Sequence, residues 1–258
     1  MLLQVRKEFI TLKKEYGYIL ITYIVMQLSG IIGVPLVLML GIKAFHIPYN
    51  QMKLLASPYW IIISFVVALI IVLLILKKAE YNQRDERTIP LPLGKSIGWA
   101  IGGIFLAFFA QYVAAIIEQL LGVKAGSENT QRIIDLIENF PLVVIVSSIV
   151  GPILEEIVFR KIIFGTLNKR FSFFFSAVIS SIIFGLAHLE PVHLILYSAM
   201  GFTFAFLYYK TKRIMVSIIA HVMMNTIVVI GQILNRENIQ KIIENYDKVH
   251  SFIGGFFG

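Results

Sequence analysis

The sequence predicts an all-α fold, a polytopic transmembrane helix bundle of about seven spanning helices, or eight if one more helix is interfacial or re-entrant. Three observations predict it. The 258 residues are 58% hydrophobic and 15% charged, with a mean hydropathy of +0.82, too apolar for a water-soluble domain. Apolar runs long enough to cross about 30 Å of hydrocarbon recur along the chain. Lys and Arg gather in alternate connections, the pattern by which membrane helices are oriented with their basic loops in the cytoplasm.

The first run, 18–40, follows a segment carrying Arg6, Lys7, Lys13 and Lys14, and no small-residue cleavage site follows it, so it is expected to be a retained span. The second, 58–76, leads into Lys77, Lys78, Arg84, Arg87 and Lys95. The third, 96–121, holds Gly98, Gly102 and Gly103, which suit close helix packing. The segment from Ser127 to Phe140 sets Ile133, Ile134, Leu136 and Ile137 at helical spacing among charges, as in an amphipathic helix at the membrane interface. The remaining runs are 141–167, 172–189, 192–209 and 214–234, joined through Lys169 and Arg170, then a loop without Lys or Arg, then Lys210, Lys212 and Arg213. Lys43, Lys53, Lys124 and Arg132 are sparse by comparison. The N-terminus is therefore expected in the cytoplasm and the C-terminal tail outside, within a single integral-membrane domain, 1–258, of the cell membrane.

The net charge of +8 does not form a contiguous basic face, which argues against a nucleic-acid partner. With no cysteine, disulfides, thiolate catalysis and Cys-based metal sites are excluded.

Against this apolar background, the stretch GPILEEIVFRKIIFGTLNKR from Gly151 to Arg170 stands out, because Glu155 and Glu156 lie inside a spanning run. An ionised side chain at bilayer depth costs roughly 2.5–3.5 kcal/mol on insertion scales, so intramembrane acids usually face a protein interior and carry function. At about 100° per residue, Glu156 and Arg160 share a helix face while Glu155 points elsewhere. Arg160 is thus expected to neutralise Glu156 and leave Glu155 available for chemistry. The competing expectation is a structural ion-pair cluster that locks this helix to a neighbour.

Other polar groups sit at similar depth. The run 172–189 closes on His188, four residues after Phe184, and the last run places Ser217, His221 and Asn225 at successive i, i+4 positions. Interhelical hydrogen bonding explains either alone. Counting ~1.5 Å per residue from the helix ends near Asn168, Phe171 and Arg213 sets Glu155 ~20 Å deep, His188 ~25 Å, Asn225 ~18 Å and His221 ~12 Å. Antiparallel neighbours then gather all four around one cavity, which packing explains less well than catalysis. His46, His193 and His250 are expected to be solvated, and Glu118 to reach water at its helix end.

The segments Glu155-Glu156-Ile-Val-Phe-Arg160, Phe184-Gly-Leu-Ala-His188 and His221-Val-Met-Met-Asn225 resemble, in order and spacing, the EExxxR, FxxxH and HxxxN motifs of the CAAX protease and bacteriocin-processing family. The motif-bearing core covers about 141–230, and the first ninety residues match only as generic membrane helices. Lys161 departs from the glycine often found after the arginine, which bears on local packing. The resemblance implies a glutamate-dependent intramembrane endopeptidase of the bacterial kind, acting on a membrane-associated or secreted peptide, with the bilayer and that peptide as partners; without HExxH, no cofactor is expected. Under it, Glu155 is general base toward a water that His188 orients, His221 and Asn225 donate hydrogen bonds to the oxyanion, and Glu156 with Arg160 is a supporting pair. Two alternatives stand beside it. One is zinc-dependent hydrolysis with Glu155, His188 and His221 as ligands, although HExxH is absent. The other is a non-enzymatic bacteriocin-immunity or transport protein built around the same polar cavity.

Overall fold

The computed structural model describes residues 14–81 and 89–257, with side chains described at 14–79 and 89–235. Arg6, Lys7, Lys13, Arg84 and Arg87 of the topology argument, and the side chain of His250, lie outside the described residues. Among the described residues there are nine helices and no strand: α1 (Lys14–Leu28), α2 (Gly30–Lys43), α3 (Tyr49–Tyr81), α4 (Leu93–Leu120), α5 (Glu128–Asn139), α6 (143–167), α7 (Phe173–Ala187), α8 (Leu194–Thr211) and α9 (Ile214–Phe257). The last is bent at Asn235, whose φ of −120° and ψ of 19° are not helical.

The helical membrane bundle expected from the sequence is present, and the spans differ in kind. Among the described residues, four helical segments are long and apolar enough to cross a bilayer: Tyr49–Ala79, Leu93–Leu120, Pro191–Thr211 and Ile214–Asn235. The first apolar run is a broken pair instead, with α1 and α2 meeting at a 52° bend, and counting that pair as one span gives five, short of the seven expected. The bend has a local cause at Ser29, whose hydroxyl donates back to the Met26 carbonyl at 2.7 Å while accepting from the indole N–H of Trp60 at 3.0 Å. Helix α7 has only 15 residues, about 22 Å, against a hydrocarbon thickness of about 30 Å. The outward faces of α2, α3 and α4 present Ile31, Ile32, Leu74 and Phe105, which suits lipid better than water.

Contacts between connections sort the two ends of the bundle. At one end Leu91, before α4, accepts from the Arg213 Nε–H at 2.7 Å and donates its N–H to the Thr211 carbonyl at 3.0 Å. Phe173, at the start of α7, packs on Tyr209 with ring centroids 4.7 Å apart. At the other end Ser127, before α5, meets Glu190, between α7 and α8. The connections that the basic-residue pattern assigns to one side are thus the ones in contact.

Close packing brings α7 onto α8. A Cβ at Gly185 would fall 2.8 Å from Leu194 and 2.9 Å from Ser198, and one at Gly201 would fall 3.1 Å from the Ser181 backbone. Of the three glycines expected to pack closely in α4, only Gly103 does so, against Leu207 and Ala220, while Gly98 and Gly102 face open space. Two apolar clusters flank the charged residues: one joins α1, α3, α6 and α7 around Leu154, Ile157 and Phe184, and the other joins α4, α8 and α9 around Phe204, Leu207 and Met224.

Candidate active site

Helix α6 is not a regular α-helix. Val146–Val150 and Glu156–Phe164 are π-helical, with i→i+5 hydrogen bonds. Pro152 lies between them and supplies no N–H, and its ring crowds the carbonyl of the preceding turn, so the wider turn relieves a conflict written in the sequence. Such turns recur at functional sites because they re-aim side chains.

The pairing of Glu156 with Arg160 is present. Arg160 Nε lies 3.4 Å from Glu156 Oε1, and both side chains are wholly buried. The guanidinium also stacks over Phe184, 4.4 Å from the ring centroid, with Phe204 and Phe159 at 5.8 and 5.9 Å. Its nitrogens make no hydrogen bond among the described residues, so the carboxylate and the aromatic faces are what offset its desolvation. Ser180 donates to the Phe159 carbonyl at 2.8 Å and fastens this turn to α7.

Helix α9 brings His221 against both acids. Its Nδ1 is 3.0 Å from Glu156 Oε1, and because an ionised carboxylate only accepts, that nitrogen carries the proton. Its Nε2 faces Glu155 Oε2 at 3.7 Å, and the ring lies flat on Phe204, 4.4 Å between centroids. This double contact was not expected from the sequence, where α-helical spacing turned Glu155 away from Glu156. Ser217 donates to the Ile214 carbonyl at 3.0 Å and lies beside the Glu156 carboxylate. Asn225, one turn beyond His221, points its amide toward the Ser147 carbonyl at 3.5 Å. His188 ends α7, and its Nδ1–H donates to the Phe184 carbonyl at 2.8 Å, so Nε2 is the free acceptor of the neutral ring.

Glu155, His188, His221 and Asn225 line one cavity of about 400 Å³, to which all nine helices contribute. Its walls are mostly apolar, and among the described lining residues Glu155 is the only charged side chain apart from the histidines. Glu156 and Arg160 sit behind the wall. Glu155 is 19% exposed where Glu156 is sealed, so only the first acid can meet a water and a substrate. Among the described residues no three His, Asp or Glu side chains are grouped to hold a metal ion, the set Glu155, His188 and His221 included.

Two residues expected at the solvent are buried instead. Glu118 accepts from His193 Nδ1 at 2.8 Å and from the Leu196 N–H at 2.8 Å, while His193 Nε2 reaches the Gly126 carbonyl at 2.9 Å. Helix α4 thereby caps α8 and holds the connection to α5. No local pattern announces this, since the partners are 75 residues apart in sequence. Glu190, two residues after His188, was also missed. Burial pushes its carboxyl up, but hydrogen bonds from the Ser127 and Tyr197 hydroxyls and the Asn129 N–H, with His193 nearby, outweigh that and hold it below the usual carboxylate range. Its contribution to stability is present above its unfolded pKa and is lost as pH falls through the lowered value. The signal available was a single carboxylate in a short turn between two apolar runs.

Comparison with known proteins bears on the same residues. The family model described as type II CAAX prenyl endopeptidase Rce1-like matches residues 137–227, the stretch that carries all three motifs. Over 253 residues the chain is 47% identical to YdiL of Bacillus subtilis (strain 168), a candidate membrane peptidase by name, covering 95% of this chain and 100% of that protein. Over 220 residues it is 34% identical to the membrane-embedded CAAX protease MroQ of Staphylococcus aureus (strain USA300), covering 82% of this chain and 89% of that one. No solved structure matches.

Proposed function

This chain belongs to the family of CAAX-type intramembrane proteases, and from that premise we propose that it hydrolyses a peptide bond of a membrane-associated or secreted peptide with a water activated by Glu155. One observation carries the reading. Glu155 is the carboxylate that opens on the cavity shared with His188, His221 and Asn225, while Glu156 is closed off against Arg160.

In this reading the water sits between Glu155 and His188 Nε2, whose lone pair is free because Nδ1–H is held by the Phe184 carbonyl. Glu155 takes a proton as the water oxygen attacks the scissile carbonyl carbon. The tetrahedral oxyanion is met by His221 Nε2–H and the Asn225 amide, and the proton held by Glu155 passes to the departing amine. Glu156 acts through His221: its carboxylate on Nδ1–H favours the imidazolium that donates from Nε2, as a buried acid does behind a ligating or catalytic histidine. An oxyanion donor of this kind is worth about 2.7–4 kcal/mol in a well-studied hydrolase.

Water activation without a metal is part of the proposal, and it rests on candidate ligands that are only Glu and His with no HExxH pattern in the sequence. The purified protein should keep its cleavage activity after dialysis against a strong chelator. Activity lost with the chelator and restored by zinc would replace this mechanism by the zinc-dependent one.

The N-terminus is proposed to be cytoplasmic, on the strength of Lys77, Lys78, Lys210, Lys212 and Arg213 at one end of the bundle. Reporter fusions after residue 90 and after residue 212 should report the cytoplasm, and one after residue 128 the outside. The opposite pattern would invert the bundle in the membrane.

A further inference from the structure

The His188 imidazole makes only one hydrogen bond among the described residues, to the carbonyl one turn back in its own helix. That bond sets the tautomer and leaves the ring plane to its neighbours. Two rings set it: Phe184 meets the imidazole edge-on with centroids 4.6 Å apart, and Tyr197 of α8 stacks on it with centroids 4.0 Å apart and planes 23° from parallel. The chain between His188 and Tyr197 reverses through Leu189, a left-handed residue at φ 56°, which returns Glu190 toward Tyr197. Tyr197 then donates its hydroxyl proton to Glu190 Oε2 at 2.8 Å.

Glu190 does more than hold a hydroxyl. It accepts from the Ser127 hydroxyl at 2.7 Å, the Glu128 N–H at 2.7 Å and the Asn129 N–H at 3.4 Å, which are the N-cap and first turn of α5. Helix α5 forms one wall of the catalytic cavity through Asn129, Thr130, Ile133 and Leu136. A single carboxylate thus joins a helix of the cavity wall to the ring stacked on His188.

We propose that Tyr197 is a positioning residue for His188, and that Glu190 couples this position to α5, so that the imidazole is set for water activation only while α5 lies over the cavity. The proposal rests on the reading that His188 holds the attacking water. A peptide entering beside α5 parts Glu190 from Ser127 and the helix N-terminus, and the same parting frees the Tyr197 hydroxyl and loosens the stack. Closure of α5 over the substrate restores both. Chemistry is then held back until the substrate is enclosed, with misplacement of a catalytic group by about 1 Å worth about 10²-fold in rate.

The test compares variants in proteoliposomes, on a peptide released from membranes by the wild-type protein and not by Glu155→Gln. Tyr197→Leu fills the space without stacking, and should lower kcat about 10²-fold with KM within about twofold and the melting temperature retained. Tyr197→Phe keeps the ring but loses the hydroxyl bond to Glu190, and its kcat should fall between that of the wild type and that of Tyr197→Leu, near that of Glu190→Gln. Glu190→Gln should raise amide hydrogen exchange across 127–139 and lower kcat with it. A folded Tyr197→Leu protein with wild-type kcat, or a Phe variant as impaired as the Leu variant, would overturn the positioning role. Should Tyr197→Leu fail to fold, unchanged exchange in α5 or unchanged kcat in Glu190→Gln would overturn the coupling. His188→Ala separates the two levels: wild-type cleavage there removes the role of His188 itself, whereas an inactive His188→Ala beside an unimpaired Tyr197→Leu removes only the brace.

Discussion

Replacing Glu155 by Gln should lower cleavage by about 10²- to 10⁴-fold while the protein stays folded, the loss typical of a missing general base. Gln keeps the volume and most of the hydrogen-bonding reach of Glu, so the cavity wall is preserved. What disappears is the proton acceptor. Stability should be nearly unaffected, because Glu155 is partly exposed to the cavity and its contact with His221 Nε2, at 3.7 Å, is longer than a hydrogen bond. The measurements are the cleavage rate in proteoliposomes and the melting temperature in detergent. Full activity in Glu155→Gln would remove the proposed mechanism and bring forward a role in shielding or transport.

Glu156→Gln should behave differently, losing stability and activity together. Arg160 is wholly buried, and the Glu156 carboxylate is the anion beside it, so the substitution strands a guanidinium among Phe159, Phe184 and Phe204. Breaking a buried pair from one side costs about 3–5 kcal/mol. The same change weakens the acceptor at His221 Nδ1, so the oxyanion donor loses its support as the fold loosens. Pairing Glu156→Gln with Arg160→Met should recover part of the stability, since no charge is then left without compensation, but should leave cleavage low. A double variant as unstable as the sum of the single ones would show that the two side chains do not act as a pair.

The contrast between these two acids was legible in the sequence because it needs only the period of a helix. Glu156 and Arg160 are four residues apart, and that separation brings them together in an α turn and in the wider π turn alike. The approach of His221 to both carboxylates was not legible, since it depends on how α9 docks against α6, a contact between residues 65 apart that spacing does not announce. The gathering of Glu155, His188, His221 and Asn225 around one cavity followed from depth arithmetic along antiparallel helices. The bundle itself followed from composition, whereas its span count did not, because π-helical stretches interrupt 143–167 and α7 is short, while Ser29 bends the first run into a pair. Glu118 and His193 were assigned to solvent by position alone. Their burial depends on a long-range pairing that carries no periodic signal.

The central claim is that this membrane cavity performs proteolysis through Glu155. The measurement that tests it most directly is a quantitative comparison of membrane-associated peptides from cells expressing either the wild-type protein or Glu155→Gln at equal abundance. The account predicts at least one membrane peptide that is intact with Glu155→Gln and is found as two complementary fragments with the wild-type protein. Indistinguishable peptide populations from the two cells, with the wild-type protein folded and present in the membrane, would contradict it.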